Sequence, residues 1–429
     1  VSAEALGAVG IGNNIFWMIG IFGIGLLLGL DYLISTAYGA GHLRECYHTL
    51  VQGIYLSLIM AVPFTALAYL AIALLPHTGI QPAVLPAAAD YLEIVSWSLL
   101  PVFLGTTLRR YLQGRNVVVP FTFALILANI VNGFANWVLV FGHLGFPALG
   151  PSGAAYATLF SMTIIFFSLL ISALMVAKKE SSRLDWRIFS FDKTIMQRLF
   201  KLGLPSSIHL LVEVGAFTVV TVLAGRLSPN SLAAHHIVLK IASFTFMIPL
   251  GISAAGAVRV GQAIGKNNVH AAALSGWVAL VLGAGFMAFA GLILILFPQA
   301  LMHGFTNASD IVTIGVSIIF IAAIFQLFDG IQVVAAGILR GSGDTKTAMV
   351  FNFIGHWFLG LPVGYYLCFN RGWDVAGLWV GLSIGLISVS IGLFVFWVRR
   401  IGRLKTSSPF QHVDARAGDS EKKPFKAIF

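Results

Sequence analysis

From residue 116 to residue 177 the chain carries no Asp, Glu, Lys or Arg. Those 62 residues are about three times the roughly 20 apolar residues that cross a bilayer as one helix. A water-exposed fold of that length needs charge on its outer face. Lipid asks only that each backbone group be bonded within its own segment. The rest of the chain is similar: 58% of its 429 residues are hydrophobic and 10% charged, against about 25% charged in soluble domains. With a mean hydropathy of +0.91, the chain is read as an all-α polytopic membrane protein.

Apolar runs place helices at 9–36, 48–75, 88–112, 118–143, 152–177, 202–226, 230–257, 272–297, 311–338, 347–369 and 376–398. The connectors between them alternate in charge. One set, with the C-terminal segment, holds 23 of the 26 basic residues, including Arg44, Arg109, Arg110, Lys266, Arg340 and Lys346. By the positive-inside rule this set is cytoplasmic, and so is the C-terminus.

The two halves repeat. Leu6, Ala8, Ala37 and Gly39 recur as Leu232, Ala234, Ala263 and Gly265, 226 residues on, and Leu112 and Gly114 as Leu339 and Gly341, at 227. The offset predicts two parallel-repeat bundles of six helices, related by a pseudo-two-fold along the membrane normal, with the substrate path between them. The partner of the helix at 202–226 would precede Val1, so eleven helices are expected here. Four regions are expected: an N-terminal bundle (1–177), an amphipathic cytoplasmic linker (178–201) lying on lipid headgroups, a C-terminal bundle (202–400), and a disordered tail (401–429).

Charge inside the apolar runs is the strongest pointer to function. A mid-helix carboxylate costs about 2.5–3.5 kcal/mol on insertion scales, so one that persists faces a partner, a cavity or an ion path. Glu213 and Asp329 stand alone in their runs, twelve residues from Lys201 and eleven from Arg340. At about 1.5 Å per residue these are matched depths near the bilayer middle. Such a pair can hold a proton or trade it for a small cation.

Lys240 is a third buried-run charge, either paired with one of these acids or snorkelling outward. Gln326, Phe325 and Phe328 flank Asp329, and Asn132 and Asn136 share a helical face, so all five are candidates for the path. Asp31, Asp90 and Glu93 lie near helix ends and are expected to be solvated or interfacial, and His235, His236 and His356 to be satisfied or at an outer edge.

Several classes drop out. The net charge of +10 sits in connectors, not on an aromatic-laced stripe, so no nucleic acid is expected. Cys46 and Cys368 form no CxxC and sit beside no histidine, and the GSGDTKT stretch lacks the glycines of a phosphate loop. No catalytic pairing is visible, so the chain is expected not to be an enzyme, and no cofactor is expected beyond a coupling ion.

The stretches GLDYLISTAYGAG, LGLPSSIHLLVEVGAFTVVTVLAGRL, LAAHHI, FMIPLGISAAGAVRVGQAIG, FQLFDGIQVVAAGILRGSGDTK and GHWFLGLPVGYYLCF resemble the multidrug and toxic compound extrusion (MATE) transporters, specifically their NorM-like branch. The resemblance implies a monomeric antiporter of the bacterial inner membrane. It would export small cationic or amphipathic organic compounds in exchange for Na+ or H+. Glu213 and Asp329 fall on acidic positions associated with coupling, the only sites where Na+ is expected. The chain departs in lacking the first helix, in Phe325 where some sodium-coupled members have tyrosine, and in Lys240. The alternative is a flippase for lipid-linked saccharides; a path lined by several basic residues would favour it.

Overall fold

The computed structural model describes residues 3–179 and 186–406. Helices α1 (Ala3–Leu27) to α7 (Gly150–Lys179) make the first bundle: α2 (Gly29–Gly39), α3 (Leu43–Leu74), α4 (Leu85–Ser96), α5 (Leu99–Gly114) and α6 (Val119–Phe141) lie between. The second bundle holds α8 (Lys193–Ala224), α9 (Pro229–Gly265), α10 (Val269–Leu296), α11 (Pro298–His303), α12 (Ser309–Gly341), α13 (Lys346–Asn352), α14 (Leu361–Tyr365) and α15 (Asp374–Thr406). Among the described residues nine helices are long and apolar enough to cross a membrane, and α4 with α5, bent by 41°, makes a tenth. The first bundle buries one apolar core, which also takes in Met196 and Leu199 of α8, the second bundle buries two more, and Phe123, Phe244 and Val281 stand exposed.

The remaining crossing, read from sequence as one helix over 347–369, is broken. Its middle is π-helical over Phe353–Gly360 and again over Tyr366–Asn370. The wide turns bring Gly355, Gly360 and Gly364 against Gly381 and Gly385 of α15, where a methyl group on Gly360 would come within 3.1 Å of the Gly381 carbonyl. Pro362, lacking an N–H, sits at the resumption of α-helix, where that loss is free.

The connector is shorter than expected, because α7 runs to Lys179 and α8 begins at Lys193. Residues 180–185 lie outside the described part. The segment 188–192, just before α8, is tied to α3 rather than only resting on lipid: Gln52 donates to the Ser190 carbonyl (2.8 Å) and Tyr55 to that of Phe189 (2.6 Å). Asp192 caps α8, accepting from the Thr194 and Ile195 amides at 2.7 and 3.1 Å. At the other end α15 continues through 401–406, which the sequence assigned to the tail; 407–429 lie outside the described residues.

The bundles meet along α1 against α8 and α2 against α9, with backbones in contact. A Cβ on Gly39 would overlap the Gln262 carbonyl oxygen, and one on Gly265 the Thr36 carbonyl oxygen. Thr36 and Gln262, like Gly39 and Gly265, are 226 residues apart. Residue i thus meets the repeat of j while j meets the repeat of i, the signature of a two-fold contact. Beside it, Gln262 donates to the Asn116 side chain (3.1 Å) and the Gly114 carbonyl (2.8 Å).

Candidate functional site

Between the bundles lies a cavity of about 490 Å³. The helix α12 supplies one wall: Phe325, Asp329, Val333, Ala336 and Arg340 succeed one another at three- or four-residue intervals, a single helical face. Opposite stand His209, Glu213 and Phe217 of α8, again one turn apart, with Leu239 and Phe246 of α9 and Trp17 of α1.

The two acids share this cavity in different states. Glu213 accepts a hydrogen bond from the Gln332 amide (3.1 Å), and His209 Nε2 lies 3.3 Å from its other oxygen. Gln332 also donates to Asn352 (3.2 Å), which is anchored on the Ala348 carbonyl. Asp329 is 6% exposed and has neither a hydrogen-bond donor nor an ion-pair partner among the described residues. A carboxylate buried so is costly unless a cation or a proton accompanies it.

Of the other expected path residues, Phe325 lines the cavity, edge-on to Phe217 and Trp379 at 6.1 and 5.6 Å between ring centres. Gln326 is wholly buried behind it with neither amide atom bonded, and Phe328 packs into the apolar core. Asn132 and Asn136 bond to each other (3.0 Å) on α6, which packs against α7, away from the cavity. Lys240 is exposed and pairs with neither acid, because the next turn of α9 turns Ala242 and Ser243, not the lysine, toward the cavity.

Three further expectations are corrected. Asp31 is not solvated: it is 2% exposed, and its Oδ2 receives Arg340 Nε at 3.0 Å and Arg110 Nη1 at 3.4 Å. His356 is buried within the π-helical turn, with both ring nitrogens unbonded, whereas His235 is satisfied by Thr221 (3.0 Å) and by the Trp379 indole N–H (3.2 Å). The basic residues Arg109, Arg110 and Arg340, read as loop charges, line the end of the cavity nearest the bundle contact. Sequence spacing carried a signal for His209 and Gln332, each within one turn of an acid. It carried none for Asp31 with Arg340, 309 residues apart.

Two helical bundles enclosing a charged internal cavity define an integral membrane protein of transporter architecture. A family model, MatE, matches residues 1–138 and 205–366, and the chain belongs to that family. A probable multidrug resistance protein NorM of Mesorhizobium japonicum is 36% identical over 404 residues, covering 92% of this chain and 86% of that protein. The multidrug resistance protein NorM of Photobacterium profundum is 30% identical, covering 92% and 87%. The fold matches an outward-facing multidrug resistance MATE transporter (TM-score 0.86, 22% identity, 95% of this chain and 90% of that one). It also matches the eukaryotic MATE transporter AtDTX14 (TM-score 0.81, 20% identity, 94% and 90%).

Proposed function

We propose that this chain is a secondary antiporter that exports cationic and amphipathic organic compounds across a bacterial inner membrane in exchange for Na+ or H+. The observation that carries this reading is Asp329, a carboxylate without a partner among the described residues, in a cavity it shares with Glu213 and an aromatic wall. An incoming ion or proton neutralises the acids and releases a cationic substrate outward. Its departure on the inner side restores the negative charge and draws in the next substrate. One monovalent ion against one monovalent substrate moves no net charge, so a proton gradient drives the exchange by about 1.4 kcal/mol per pH unit.

With the basic connectors facing the cytoplasm, the contacts of Gly39 with Gln262 and Gly265 with Thr36 close the cavity on the cytoplasmic side. The structure then corresponds to an outward-facing state. Asp329→Asn and Glu213→Gln are expected to abolish ethidium efflux at unchanged expression, with sodium and proton gradients imposed separately to identify the ion. Undiminished efflux in both variants would end the reading.

One observation favours the flippase alternative: the three cavity arginines suit an anionic lipid-linked saccharide. The NorM relatives weigh toward drug efflux, and translocation of such a lipid in the absence of ethidium transport would reverse the choice.

A further inference from the structure

The cavity is charged at both ends, and the basic end does not balance. Arg109, Arg110 and Arg340 line it with one acid, Asp31, beside them, and Arg110 and Arg340 both converge on a single oxygen of that acid. Arg109 has no ion pair among the described residues. Its guanidinium stacks over the Phe121 ring at 3.9 Å, and its Nε is buried without an acceptor, as is Nε of the 8% exposed Arg110. Guanidinium stays protonated in any protein environment, so Arg109 cannot shed its charge as a lysine would. A permanent cation facing a cavity, with its neighbouring carboxylate already shared, lacks a counter-ion among the described residues.

We propose that Arg109, backed by Arg110, forms an anion subsite at the base of the cavity, taking a carboxylate or a small oxyanion. Arg340, which lines the same end of the cavity, lies about 16 Å along α12 from Asp329, counted as eleven residues of helical rise. The planar fork of the guanidinium suits a carboxylate, and stacking on Phe121 fixes its plane. The anion comes from one of two sources: the acidic group of a substrate that also carries a cation for Asp329, or a free anion bound alongside a purely cationic substrate. Only the choice of source rests on the efflux reading.

The test uses the full chain in detergent and benzoate as the probe. Benzoate is expected to raise the melting temperature of the wild type and of Arg109→Lys but not of Arg109→Gln. Absence of a benzoate effect on the wild type, or an equal effect on Arg109→Gln, overturns the subsite. Fluorescence polarisation with rhodamine 110, which carries a free carboxyl, and rhodamine 123, its methyl ester, then separates the sources. A preference of about tenfold for rhodamine 110, equal to about 1.4 kcal/mol, that collapses in Arg109→Gln assigns the anion to the substrate. Rhodamine 123 binding that instead rises with added benzoate assigns it to a free ion. If neither dye binds while benzoate still stabilises the wild type, the subsite stands and the drug-efflux reading falls.

Discussion

Asp31 and Asp329 carry the same carboxylate to opposite ends. Asp31 sits between two arginines on elements from both bundles, so its charge is fully used in holding them. Asp31→Asn leaves two buried guanidiniums without a counter-charge. Breaking such a network costs about 3–5 kcal/mol, and a clearly lower melting temperature in detergent is the expected readout. Lys240→Gln, by contrast, is expected to leave ethidium efflux within about twofold, because the side chain is exposed and faces no acid; a large loss would return the lysine to the path. Glu213 and Asp329 were legible in sequence because each interrupts an otherwise uncharged run. Asp31, Arg110 and Arg340 were not, because a charge near a helix end looks cheap until a partner 79 or 309 residues away draws it inside. His356 escaped for the opposite reason: a lone histidine in an apolar run gives no hint that both its nitrogens go unbonded.

The same contrast holds among elements. Hydrophobic length located the crossings, since about 20 apolar residues span a bilayer whatever their packing. Local deformations were hidden: the α4–α5 bend and the π-helical turns at 353–360 depend on what lies alongside. The glycines at the α2–α9 crossing allow backbones to touch, so Gly39→Ala and Gly265→Ala are each expected to lower the melting temperature. Gly285→Ala, with nothing within 4 Å of the added methyl, is the control expected to show no loss. Outside the membrane, Asp192→Ala should cost about 1 kcal/mol by removing the α8 cap. The Ile195 and Thr194 amides hold the Asp192 carboxyl below the usual carboxylate range, with His48 adding to them. Because the folded value lies below the unfolded one, this contribution is present above about pH 4 and lost as pH falls through the folded value. Acid titration of wild type and Asp192→Ala should therefore converge at low pH.

Across the whole molecule, the repeat offset visible in sequence reappears as geometry. What the sequence could not show is which ends of the bundles meet. Alternating access requires the Asn116–Gln262 amide contact to open during transport. Cysteines placed at both positions and bridged by a short bis-thiosulfonate reagent should stop efflux, and reduction should restore it; Cys46 and Cys368 are buried, which protects them from the reagent. Efflux persisting with the bridge in place would mean that the bundles never part there. The paired Gly39 and Gly265 contacts also limit how that parting can proceed. With carbonyls lodged in glycine notches from either side, the helices can lift apart at the crossing, but sliding would drive each oxygen into the next side chain. The interface works as a latch that lifts and does not slide, and it is cut from backbone alone.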